Sequence, residues 1–444
     1  MIFKSDASRL DSVCAYAFGS AKLRSGSLVI TILFLFTFLC LLPMQIIAAA
    51  GLREKLQHNQ VVLAYFSEWT IFTEGYTVAD IPAERLTHLV YAFIQIVDGE
   101  VAFVDEYAAM EAPLSRDNSQ SWPDGNLPQL RTLRERHPHL ELLVALGGWT
   151  LSSPFSDAVL TSDSRARLAR SIVRFLREHD LDGIDLDWEY PVGGGLENNI
   201  TRPEDKQNYT LFIAELRRQL DRVEETNSRR YRITVASPIG EQTMQHFELK
   251  KMSRYIDWFN VMAYDYHGAW DLTTGHLAPL DGPSGANSVR KSIRAYRDAG
   301  VPAHQIVLGI PLYGRAWSGV NADNNGLRQP AQRPYAGTTE EGYITYRQLR
   351  NRVRTHSGNY REHFDSPAQA GFVFNRELDE GSFFSAETVE TFELKRQFAR
   401  SQGLRGLMFW SLEGEMADLQ DSDSLIGRLP VLSGRRPALN ASSD

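Results

Sequence analysis

Cysteine is almost missing from this chain: among 444 residues only Cys14 and Cys40 occur, both within the first fifty. No disulfide is available beyond them, so the rest of the chain needs a large apolar core. Excess positive charge is missing too. A formal net charge of -8 excludes the basic face that nucleic acid requires and leaves a neutral polymer or small molecule as the easier partner. No metal or cofactor is expected. His267 and His276 lie close together without a His-Glu-x-x-His or similar ligand pattern, and Gly193-Gly194-Gly195 lacks the Lys-Ser/Thr that would make it a phosphate loop. That triplet reads as a flexible loop. The chain also lacks an internal repeat, a Ser/Thr/Pro-rich linker and a separate aromatic-rich binding module.

Only one apolar run is long. Lys4, Arg9, Lys22 and Arg24 precede Leu28 to Leu42, and Ala48-Ala49-Ala50 supplies the small residues of a cleavage site before Gly51. Residues 1–50 read as an export signal or, since Leu28 to Ala50 is long enough to span a bilayer, as an uncleaved anchor. Pro43 and the alanines favour cleavage. The body is then secreted and free of the membrane, or tethered outside the cytoplasm by the anchor. Glycosylation sequons stand at Asn199, Asn208 and Asn440. The polar tail 433–444 is expected to be disordered and the protein monomeric.

Eight strand-like runs follow: Val61 to Phe66, His88 to Phe93, Leu142 to Leu146, Gly183 to Trp188, Ile233 to Ser237, Trp258 to Tyr264, Ile306 to Leu312 and Leu404 to Trp410. Amphipathic segments lie between them, such as Arg167 to His179, with Leu168, Ile172, Phe175 and Leu176 on one face, and Tyr209 to Leu220. Eight strands alternating with crossover helices imply an α/β fold, a parallel (β/α)8 TIM barrel, with its site at the C-terminal strand ends. About 90 residues separate the last two runs, more than one helix and its loops need. Val320 to Pro334 reads as loop there, while Gly342 to Leu349 and Gly371 to Phe374 look like strands. The expected layout is a barrel from 55–316 and 386–432, with a small α+β insertion at 317–385 between strands 7 and 8.

The fourth run carries the chemistry. Side chains alternate along a strand, so Asp185, Asp187 and Glu189 share one face of Gly183 to Glu189, and Ile184, Leu186 and Trp188 share the other. Unpaired buried charge is too costly for that acid face to lie in an apolar core, so it must meet a polar cavity, water or a ligand. Three carboxylates spaced by roughly 6–7 Å also cannot all ionise freely, and one pKa should rise towards the range of a general acid. An acidic edge strand or a cation site is the bland alternative, but the alternation lacks the turn of a calcium loop. Asp182 has the opposite parity and reads as an anchor for the strand's start.

This stretch resembles the Asp-x-x-Asp-x-Asp-x-Glu signature of family 18 glycoside hydrolases, the chitinases, with Tyr190-Pro191 following as is usual there. The resemblance implies a substrate of chitin or N-acetylglucosamine oligomers. It implies Glu189 as general acid and base, Asp187 and Asp185 as a proton-sharing pair behind the substrate's acetamide, and Tyr264 as the group that places the acetamide oxygen. It further implies a retaining reaction in which that oxygen, rather than an enzyme carboxylate, attacks the anomeric carbon to give an oxazolinium ion. Substrate contacts carried over by resemblance are Tyr65, Phe93, Gly148, Trp149 on the aglycone side, Tyr190, Met262, Asp265, Trp270, Tyr313, Arg315, and Trp410 under the sugar whose bond is cut. Singly, each aromatic is more often core than ligand; placed together at strand ends, they point to sugar stacking.

The chain departs from the family pattern at three places. Ala145 replaces a usual serine whose hydroxyl supports the inner aspartate. Ser385-Ala386-Glu387-Thr388 replaces a Tyr-Asp-Asp turn, and Glu415 replaces an aspartate; both are expected to alter the cleft rim. Two rival readings remain: a chitin-binding lectin, disfavoured because Glu189 is present, and a hydrolase of N-glycan cores or a peptidoglycan-like polymer.

Overall fold

The alternation of apolar residues along the eight runs closes into a cylinder. The computed structural model describes residues 60–432 apart from 114–121, 284 and 338–339. The leader 1–50, the tail 433–444 and Asn440 lie outside the described residues. Eight parallel strands, β1 (Val61–Ser67), β2 (His88–Val97), β3 (Glu141–Gly147), β4 (Gly183–Asp187), β5 (Arg232–Ser237), β6 (Trp258–Val261), β7 (Ile306–Pro311) and β8 (Gly406–Trp410), follow one another around the wall, and β1 pairs with both β2 and β8 to close it. The fold is the (β/α)8 barrel that the sequence implies.

Period-2 alternation sorts the strand residues into two cores. Val62, Ala64, Leu142, Val144, Ile184, Leu186, Ile233 and Val235 face outward into a layer shared with the helices. Leu63, Val90, Leu143, Trp258, Val307 and Met408 face inward and fill the barrel. Each such buried aliphatic or aromatic side chain contributes about 1.5–3 kcal/mol. Trp188 belongs to the outer layer, stacked on Phe155 at 5.2 Å. The helix Ser162–Glu178 seats Leu168, Ile172, Phe175 and Leu176 in that same layer and starts at Thr161, whose hydroxyl accepts from the Ser164 amide.

Charged residues close the N-terminal end. Arg405 lies 5.0 Å over the Trp258 ring, and Arg232 bridges Glu141 and Asp257. Asp182 accepts from the Leu142 amide at 2.9 Å and from Arg229 at 2.8 Å, tying the start of β4 to its neighbour.

The segment between β7 and β8 builds a second, antiparallel sheet from Tyr313–Ser318, Arg333–Pro334, Tyr343–Thr345, Arg361–Asp365, Ala370–Asn375 and Ser382–Ala386. It begins at Tyr313, a few residues before the expected insertion. Gly342 to Leu349 is not one strand. Only Tyr343–Thr345 is extended, and a helix runs over Tyr346–Thr355, because the Thr345 hydroxyl caps it through the Gln348 amide. Trp258 to Tyr264 is also shorter than expected. It leaves the ladder after Val261, and Asp265 has φ of 59°. A short antiparallel strand, Glu100–Phe103, folds back on the end of β2 and was not anticipated. Among the described residues no helix is long and apolar enough to cross a membrane.

Candidate active site

Asp185 and Asp187 are buried within the barrel mouth, Asp185 completely. The acid face is thus less open than its charge suggests, and hydrogen bonds explain how Asp185 is tolerated. Register places Asp185 between Ala145 on β3 and Thr234 on β5. Thr234 Oγ1 donates to Asp185 Oδ1 at 2.5 Å, Asn260 Nδ2 donates to the same oxygen at 3.0 Å, and Tyr65 donates to Oδ2 at 2.6 Å. Trp258 Nε1 donates to Asn260 Oδ1 at 2.9 Å, which turns the amide nitrogen towards Asp185. The hydroxyl missing at Ala145 is therefore supplied by Thr234 from the opposite neighbouring strand.

Asp187 is treated differently. Its Oδ1 is buried without a hydrogen-bond partner. Burial pushes its pKa well up, and the charges of Glu189 and Asp185 add to the rise. Burial also raises Asp185, but its three donors oppose the shift. Of the two, Asp187 is the more readily protonated, because nothing holds its charge.

Glu189 sits one step higher, partly exposed. Burial lifts its pKa to about 7; a hydrogen bond from Tyr190 opposes the rise and Asp265 adds to it. Desolvation, more than repulsion within the acid row, is the leading cause in both raised acids. The Glu189 backbone is held from below. Ser152 Oγ accepts from its amide at 2.8 Å and donates to the Gly148 carbonyl at 2.8 Å, and Asn199 Nδ2 donates to the Glu189 carbonyl at 3.0 Å. A Cβ on Gly195 would lie 1.9 Å from that carbonyl oxygen, so the third residue of the glycine triplet is a close-approach position.

The aromatic residues gather around these acids. Tyr65 meets Trp410 edge-on at 5.2 Å, Phe93 lies 5.7 Å from Trp410, and Trp69 stacks on Phe93 at 6.2 Å. Gly148 runs beneath Phe93, where a Cβ would come within 2.7 Å of the ring. Tyr264 packs 6.0 Å from Tyr313, and Met262 packs partly buried against the same cluster. Arg315 forks onto Asp265 at 2.9 and 3.0 Å and reaches Glu340 at 2.8 Å, its guanidinium 5.2 Å over Trp270. Trp69, Trp149 and Trp270 are exposed, at 42%, 47% and 59%.

A profile of the Glycosyl hydrolases family 18 matches residues 61–415. The chain belongs to that family. Its match takes in every one of these residues, from Tyr65 to Trp410. Among curated relatives of this family 18 chain, Chitinase A1 of Niallia circulans is 33% identical over 396 residues, 80% of this chain and 56% of that protein. The chain therefore spans little more than half of that relative's length. A probable endochitinase of Orgyia pseudotsugata multicapsid polyhedrosis virus is 32% identical over 82% of this chain and 71% of its own. Among solved structures, Chitinase ChiA74 from Bacillus thuringiensis superposes with a TM-score of 0.76 at 30% identity, over 84% of this chain and 69% of that one.

Several expectations change at this site. Ser385 and Glu387 do not shape the rim: the Leu277 amide donates to Ser385 Oγ at 2.9 Å, and buried Glu387 is paired with buried Lys395 and accepts from Thr391 at 2.5 Å. Glu415 also turns inward, accepting from the amides of Met416, Leu425 and Ile426. Asn199 already spends its amide on Glu189, and Asn208 is buried beside Arg165, so neither side chain is free for a glycan. Thr234, Asn260 and Ser152 were missed. Asn260 had one legible signal, since it shares strand parity with Met262 and Tyr264.

Proposed function

We propose that this chain is a chitinase that cuts β-1,4 bonds between N-acetylglucosamine units with retention, using the substrate's own acetamide. Glu189 protonates the glycosidic oxygen as the bond to the anomeric carbon breaks. The acetamide carbonyl oxygen bonds to that carbon, giving an oxazolinium ion. Asp187 passes its proton to Asp185 and, as a carboxylate, accepts from the acetamide N–H and balances the developing positive charge. Tyr264 orients the acetamide oxygen. Water, deprotonated by Glu189 now acting as base, opens the oxazolinium ion and restores the acid. Asp265 and Arg315 fix the sugar, Trp410 lies beneath it, and Tyr65, Phe93, Tyr190, Met262, Tyr313, Trp149 and Trp270 line its path. We further propose that the chain is exported and needs neither metal nor cofactor.

One observation carries this reading. Asp185 is held by three donors while Asp187 keeps an unpartnered buried oxygen. A carboxyl with an unfilled acceptor is placed for an N–H, and an acetamide N–H beside a reacting anomeric carbon is what substrate assistance requires. The names of the relatives, chitinases in bacteria and viruses, favour the same substrate.

The test uses N-acetylglucosamine oligomers and their fully deacetylated counterparts. The acetylated series alone should be cleaved, with the new reducing end first appearing by proton NMR as the β anomer. Binding without cleavage would make the protein a lectin. An α product would remove substrate assistance, and cleavage only of N-glycan cores would replace the substrate.

A further inference from the structure

Tyr65 faces into the barrel and Phe66 out of it, so the alternation along β1 sends Glu68 outward, away from the mouth. The proposed reaction does not use this carboxyl. Glu68 is 4% exposed, and its Oε2 accepts from Tyr91 Oη at 2.5 Å. Tyr91 is completely buried in the outer layer. The Glu68 amide donates to the Ala92 carbonyl at 2.9 Å. Side chain and backbone of this one residue therefore tie the end of β1 to Tyr91 and Ala92, the two residues before Phe93.

The next residue on each strand enters the mouth. Trp69 follows Glu68 and Phe93 follows Ala92, and their rings stack at 6.2 Å with 25° between the planes. Phe93 in turn lies 5.7 Å from Trp410, and Trp69 and Trp410 line one cavity of about 360 Å³. Much of Trp69 is in solvent, so the chain on either side of it has to hold it in place. On one side Thr70 donates to the Ser67 carbonyl at 2.7 Å; on the other the tie is Glu68. Any residue at 68 could supply the amide. Only a side-chain acceptor can answer the Tyr91 hydroxyl, and a buried hydroxyl left without a partner is costly enough to shift the strand ends. Burial raises the Glu68 pKa to about 7, so in mild acid the group is a neutral acceptor, which glutamine imitates.

We propose that Glu68 is a positioning residue: through Tyr91 and Ala92 it sets Trp69 against Phe93 as a stacking surface for sugar beyond the unit over Trp410. It governs the hold on long chains and takes no part in breaking the bond. This rests on the chitinase reading above.

The experiment compares KM and kcat for the N-acetylglucosamine hexamer with those for the shortest oligomer that the wild type cleaves. Trp69→Ala, at an exposed position, measures the surface itself: the ratio of the two KM values should rise about tenfold against the hexamer, with the kcat ratio little moved. Glu68→Met removes the acceptor and Tyr91→Phe the donor, and each should reproduce that change. The double variant should do no more than either alone, because both remove one interaction. Glu68→Gln keeps an acceptor of the same shape and should restore the wild-type ratio. KM does not depend on the fraction of protein that is folded, so a poorly folding variant still decides. A ratio unmoved in Trp69→Ala or in Glu68→Met overturns the proposal, as does Glu68→Gln behaving like Glu68→Met. Failure of the wild type to cleave any acetylated oligomer instead overturns the chitinase reading, and this proposal with it.

Discussion

At the scale of single residues, the chemistry depends on where protons rest. In the proposed reaction Glu189 starts protonated, and burial raises its pKa to about 7. Activity should therefore persist through the mildly acidic range and fall as pH rises through about 7, which a kcat/KM profile on a chromogenic oligomer will show. Glu189→Gln should lower kcat by roughly a thousandfold with substrate still bound. Thr234→Val removes one of three donors to Asp185 at nearly constant volume. The expected result is about a tenfold loss of kcat, little change in KM, and a shifted pH profile, because the Asp185–Asp187 pair then holds its proton differently. A loss confined to thermal stability, with the profile unmoved, would reduce Thr234 to a packing residue. Parity within one strand made Asp185, Asp187 and Glu189 legible from the sequence. Thr234 was not legible, since its meeting with Asp185 is set by the register between two strands, which neither strand encodes alone.

Elements were read well where period and length agreed. All eight barrel strands were visible because each is an apolar run that buries both faces. The misreadings came where a local device overrode the apolar pattern, as with the Thr345 cap that turns a strand into a helix. The departure of the chain from β6 after Val261 is of the same kind: it swings Tyr264 and Asp265 over the mouth instead of continuing the ladder. The loop after β4 is the element most exposed to test. Gly195→Ala would drive a methyl into the Glu189 carbonyl, and the chain there must move. We expect at least a hundredfold loss of activity, roughly what misplacement of a catalytic group by 1 Å costs, with a melting temperature close to that of the wild type because the barrel strands are untouched. Ser152→Ala, which removes the hydroxyl between Gly148 and Glu189, should destabilise the fold by about 1–3 kcal/mol and lower activity together, as denaturant titration and assay of the same sample would show.

For the whole molecule, the buried acids link stability to pH. Glu68, Glu189 and Glu413 each have a pKa raised by burial from 4.5 to about 7. Between those values the folded state holds protons that the unfolded chain releases, so stability falls as pH rises across that interval and levels off above about 7. Melting temperature should be higher at pH 5 than at pH 8; the opposite order would mean that these carboxyls are ionised in the fold at no cost. Buried acids that weaken the fold near neutrality are the reverse of salt-bridged ones, which give way in acid.

The packed interior below the acids has a further consequence. Leu63, Val90, Leu143, Trp258 and Val307 fill the barrel, and Asp185 rests on that apolar packing. With apolar side chains beneath them, the acids are reached most readily from above, through the mouth that would admit sugar. In the proposed reaction, the water that opens the oxazolinium ion has to come by that mouth too, so it is admitted only once the leaving sugar gives way.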